Sequence, residues 1–89
     1  MVDAYFLRAL AESVKRFAVE IEEIKIVLPQ SYSDELRNIL NEAVKQASKG
    51  RRKLLYVCTI RKEETIIELV RLGVKLSRTR IANHYKVSW

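Results

Sequence analysis

The sequence predicts a mainly α fold: a small bundle of four or five helices in a single domain over residues 1–89, near-neutral in 1–49 and basic in 50–89. Two observations carry that expectation. Apolar side chains recur at steps of three and four through most of the chain, the period of one helix face. With Gly 2 and Pro 1, the chain also lacks the punctuation that a hairpin-rich β fold needs. A chain of this size holds one core and buries roughly 60–65% of the surface its unfolded form exposes.

The first helix is expected over residues 3–28, where Phe6, Leu10, Val14, Phe17, Ile21, Ile24 and Leu28 form one stripe close to a coiled-coil seam. Asp3 is placed to cap it. Pro29 ends it, because the residue before a proline avoids the α region. The β-rich end, residues 24–28, leaves a short strand open as an alternative. The seam serves either the chain's own core or a homodimer, in which Phe6, Leu10, Val14, Phe17 and Ile21 would form the interface. A second helix is expected over residues 31–49. Ser31 or Ser33 caps it, Asp34 and Glu35 sit in its first turn, and Leu36, Ile39, Leu40, Ala43, Val44 and Ala47 make its apolar face. Gly50 then stops it in a left-handed conformation.

Residues 54–60 are rich in β-branched and aromatic side chains but do not alternate cleanly. Such a run is either a strand or a buried helix by period alone. No partner strand stands out elsewhere, and one strand cannot persist by itself, so a helix is favoured and a strand is the alternative. Residues 62–76 read as another helix, opened by Glu63 and Glu64, with Ile66, Ile67, Leu69, Val70 and Val74 on its apolar face. Gly73 would kink it or permit close packing. Ser77 either continues that helix or caps a further one over residues 78–85.

Charge is unevenly distributed. Residues 1–49 hold seven Lys/Arg and eight Asp/Glu, a net of −1; residues 50–89 hold ten and three, a net of +7. Clustered cations attract polyanions, so nucleic acid or a nucleoprotein complex is the expected partner. The basic groups singled out are Arg51, Arg52, Lys53, Arg61, Lys62, Arg78, Arg80 and Lys86, with Asn83 and His84 interleaved. Lys and Arg neutralise phosphates, and Asn and His can hydrogen-bond backbone or bases. The alternative is a solvated basic face with no ligand.

Other classes find little support. Cys58 is the only cysteine, which excludes an intramolecular disulfide and fits a reducing, cytoplasmic compartment. Together with the single His84 it cannot supply a four-ligand zinc site, and no metal or other cofactor is expected. Cys58 reads as a small core hydrophobe and Glu20, Glu22 and Glu23 as a solvated helix face. No run of about 18 apolar residues occurs, so no membrane span is expected. No phosphate-binding glycine loop, His–carboxylate set or Cys–His pair is present, so a non-enzymatic protein is expected. Abundant Glu, Lys, Arg, Ile and Val with two Gln leans towards a thermophile.

Two stretches bear a resemblance. Residues 77–89, with Ile81-Ala82, Tyr85 and Val87-Ser88, resemble the first half of a DNA-binding helix-turn-helix, with Lys86 where the turn glycine usually stands. That likeness implies a packed Ile81 and Tyr85, a close helix crossing at Ala82 and a turn at Val87-Ser88. More loosely, the whole chain is similar to the helical domain of GINS-complex replication subunits. The matching pieces are Leu28-Pro29, Asp34-Glu35-Leu36-Arg37, Arg51-Arg52-Lys53, and Lys75, Arg78, Arg80 and Ile81. That likeness implies a scaffold of DNA replication acting through protein contacts. The functional expectation is thus a non-enzymatic protein that binds nucleic acid, DNA rather than RNA, through its basic half. A scaffold subunit of a nucleoprotein complex is the first alternative, and a small viral or plasmid-encoded protein the second.

Overall fold

The computed structural model describes residues 2–17, 28–56, 60, 63–81 and 84–89. In chain order these form helix α1 (Ala4–Phe17), helix α2 (Asp34–Ala47), strand β1 (Lys53–Tyr56), helix α3 (Glu63–Arg71), strand β2 (Lys75–Arg78) and strand β3 (Tyr85–Ser88). The three strands make one antiparallel sheet in the order β1-β3-β2. The fold is therefore mixed helix and sheet, not the helical bundle that the sequence suggested.

The helices start and stop for local reasons. Asp3 caps α1, its Oδ1 accepting the Phe6 N–H at 2.8 Å; Ser33 caps α2, its Oγ accepting the Leu36 N–H at 3.2 Å. Gly50 and Gly73 both have φ of +80°. At Gly50 the Arg51 N–H reaches the Gln46 carbonyl and the Gly50 N–H that of Ala47; at Gly73 the Val74 N–H reaches Leu69 and the Gly73 N–H Val70. Both are the paired bonds of a Schellman stop, which requires a left-handed residue. Gly73 thus ends α3 and turns the chain into β2, correcting the expectation of one helix through residue 76.

α2 buries the six residues its period selects: Leu36, Ile39, Leu40, Ala43, Val44 and Ala47. α1 is rotated slightly from its expected seam and buries Ala4, Leu7, Ala11 and Val14, while Phe6 and Leu10 pack half-buried at the flank. Phe17 points outward, and Ile21 and Ile24 lie outside the described residues. The Ala4 N–H donates to the Leu72 carbonyl at 2.9 Å and ties the start of α1 to the end of α3.

The sheet corrects the remaining elements. Leu54 pairs with Val87, and Val87 with Leu76. β1 does have a partner, β3, far along the chain, and of residues 54–60 the strand alternative holds over 54–56, within β1. Residues 57–59 lie outside the described part, Cys58 among them. No helix forms among the described residues of 78–85: Arg78 ends β2, Tyr85 opens β3, and the connector joins them. The Val87-Ser88 pair is strand, not turn. One sheet face carries Leu54, Tyr56, Leu76, Tyr85 and Val87 against the helices, and Val87 is fully buried. The other face carries Lys53, Leu55, Lys75, Ser77, Lys86 and Ser88.

Candidate nucleic-acid interface

The outer sheet face leads into a broad groove of about 1370 Å³. Its walls come from the end of α1, the end of α2 with the following connector, and strands β1 and β3. Six cations line it: Lys15, Lys49, Arg51, Arg52, Lys53 and Lys86. One carboxylate, Glu42, stands among them, and it pairs with Lys45 at 3.5 Å. Gly50 makes this convergence possible. A Cβ there would lie 3.2 Å from Lys15 Cγ and 3.6 Å from Val14 Cγ1, so the left-handed stop lets the connector cross closely over α1.

Trp89 fixes the connector from the other side. Its indole Nε1 donates to the Arg51 carbonyl at 3.1 Å, and its N–H donates to the Arg52 carbonyl at 3.1 Å. Arg52 returns the contact, Nε donating to the Trp89 carbonyl at 3.0 Å, and its Nη1 lies 3.8 Å from Glu12 Oε1. Arg51 Nη1 donates to Gln46 Oε1 at 2.7 Å. Arg52 is thus partly committed to holding the groove together. Lys15, Lys49, Lys53 and Lys86 make no ion pair among the described residues and are exposed.

α1 and α2 both present their C-terminal ends here, where the helix dipole repels anions. Any attraction for an anion therefore comes from the side chains. Among the described residues no aromatic side chain stands on the outer sheet face; its apolar group is Leu55, 55% exposed. Trp89 lines the groove but is buried, with its N–H already engaged.

Of the residues expected to bind nucleic acid, the groove unites Arg51, Arg52, Lys53 and Lys86. Arg78 sits at the exposed edge of β2 and Arg80 in the β2–β3 connector, with His84 half-buried where β3 begins. Arg61, Lys62 and Asn83 lie outside the described residues. Lys15 and Lys49 were missed, since both belong to the near-neutral half. Lys49 was legible: residues 49–53 are a basic run interrupted only by Gly50.

A second cleft, about 490 Å³, lies at the other end of α2, lined by Ser31, Tyr32, Ser33, Leu36, Glu64, Thr65 and Glu68. The buried Thr65 hydroxyl meets Ser33 Oγ at 3.5 Å. Among the described residues no group of three His, Cys, Asp or Glu side chains is placed to hold a metal, and no described helix is long and apolar enough to cross a membrane.

No family model matches the chain, nor does any curated protein or solved structure. Fold and site together define a small α+β domain with a strongly basic groove.

Proposed function

We propose that this protein binds double-stranded DNA through its phosphate backbone, in the groove between the outer sheet face and the ends of α1 and α2, without catalysing a reaction. One observation carries the reading: six cations converge from three stretches of the chain, against a single lining carboxylate already paired with Lys45. Such clustering releases counterions from a polyanion and gives affinity that does not depend on sequence. The outer face, polar and basic over its described residues apart from Leu55, suits a duplex backbone better than a single strand, whose bases would need an aromatic stacking platform.

Fluorescence anisotropy with a labelled duplex, titrated with salt, tests it. Five or so phosphate contacts predict log affinity falling with log salt at a slope of about −4 to −5. Replacing Arg51, Lys53 and Lys86 by Ala should flatten the slope by about 3. A single strand or an RNA duplex bound more tightly would overturn the choice of ligand. No binding at low salt would overturn the reading as a whole.

That last outcome would leave an interaction subunit of a larger nucleoprotein complex. One observation favours this second reading: Ile67 and Val70, one turn apart on α3, are both exposed. Loss of binding to every nucleic acid, with capture of a protein partner that Ile67→Glu abolishes, is its expected signature.

A further inference from the structure

Thr79, where the β2–β3 connector begins, lines the groove. From residue 74 to residue 89 the chain carries Lys75, Arg78, Arg80 and Lys86 and no Asp or Glu. In the connector Arg80 is exposed and Ile81 is 62% exposed. Thr79 ties the described connector residues together. Its Oγ1 accepts the Ile81 N–H at 3.2 Å, and the same hydroxyl lies 3.2 Å from the Ile81 and His84 carbonyls, to which it can donate. The Thr79 N–H donates to the His84 carbonyl at 3.2 Å, and the His84 N–H to the Ile81 carbonyl at 3.3 Å. The backbone of Ile81 is therefore tied into the connector while its side chain stands in water.

A single exposed isoleucine is ordinary. An isoleucine beside an arginine, in a hairpin connector without carboxylates that adjoins a basic groove, has a more specific reading. Resting on the duplex-binding proposal above, we infer that Arg80 and Ile81 of the β2–β3 connector enter the minor groove of the bound DNA, with Arg80 in the groove and Ile81 as a wedge against a base step. The narrow minor groove concentrates negative potential that attracts arginine. Apolar wedges inserted there partly unstack a base step and kink the duplex by roughly 20–90°. The isoleucine side chain has no donor or acceptor, so it selects steps by how easily they open. Pyrimidine–purine steps such as TA are therefore the favoured sites.

The test uses the full chain and a short A·T-rich duplex with 2-aminopurine at a central TA step and a dye pair at its ends. Anisotropy reads binding, 2-aminopurine emission reads unstacking, and energy transfer between the dyes reads bending. At saturation the emission should rise and the ends should approach. Ile81→Ala should bind with an unchanged salt slope and lose both signals; Arg80→Gln should reduce the slope by about 1. Binding without either signal, or an Ile81→Ala variant that keeps both, would overturn the wedge and leave the backbone groove standing. An anisotropy that never changes would overturn both, and in this experiment only that result tells against duplex binding.

Discussion

The two ends of α2 are oppositely charged, and for different reasons. Around its start, Asp34 and Glu35 lie in the first turn, with Glu64 and Glu68 in the neighbouring cleft. Around its finish, about 21 Å away at 1.5 Å per residue, lies the groove with its six cations. The acidic end is accounted for by the helices themselves, since carboxylates in the first turns of α2 and α3 complement the dipoles. The basic end is not. Lys15 and Arg16 already serve the last turn of α1, and Lys45 that of α2; Lys49, Arg51, Lys53 and Lys86 exceed what two helix ends require. A charge that local structure does not need points to a ligand, whereas one that it does need points to stability.

Several substitutions break or sharpen this contrast. The largest effect is expected from reversing the surplus: Lys49→Glu, Arg51→Glu and Lys53→Glu together should abolish duplex binding, while Glu64→Gln with Glu68→Gln should leave the salt slope unchanged, both read by anisotropy. Equal loss at the two ends would dissolve the distinction. Next, Trp89→Ala removes the indole clamp on the Arg51 carbonyl and leaves a void, while the main-chain bonds to Arg52 remain; urea unfolding should show about 3 kcal/mol of lost stability, with binding weakened at the same time. The two glycine stops differ as well. Gly73→Ala should destabilise by about 2 kcal/mol, because the new methyl meets the fixed Cβ of Ala4 at 3.3 Å in a left-handed backbone. Gly50→Ala should lose only about 1 kcal/mol, since Lys15 can swing aside. At the acidic end, Ser33→Ala should lose about 1 kcal/mol with the α2 cap and leave DNA binding intact. The smallest effect belongs to Glu12→Gln, below about 0.5 kcal/mol, as its pair with Arg52 is long and exposed.

The helices were legible because their determinants are local: caps at Asp3 and Ser33, an unbroken apolar period in α2, glycine after each final turn. Even so, the seam read along α1 was off by one position, since Leu7 and Ala11 are buried where Phe17 is not. The sheet was hidden for physical reasons. Each strand is four residues long, and only two side chains per strand face inward. Leu55 faces out between Leu54 and Tyr56, which erases the alternation that marks a strand. Val74 and Leu76 fell in phase with α3, so β2 looked like more helix until Gly73 turned the chain. Pairing of β1 with β3 joins segments far apart in sequence, and no local signal reports it. The site was half legible for the same reason. The run Arg51-Arg52-Lys53 is contiguous, but the meeting of Lys15, Lys53 and Lys86 exists only once the sheet has closed.

The position of β3 between the other two strands has a kinetic consequence. Among the described residues β1 and β2 each pair with β3 and not with each other. β2 and β3 form a local hairpin, whereas the pairing of β1 with β3 joins distant segments and closes slowly, after the helices have begun to form. A folding chain should therefore pass through a stage that gives a helical circular-dichroism signal but does not retain DNA, with retention appearing in the last phase. A ligand that engages only the completed sheet also draws the equilibrium towards it, so DNA at saturating concentration should raise the urea midpoint without accelerating the early helical phase.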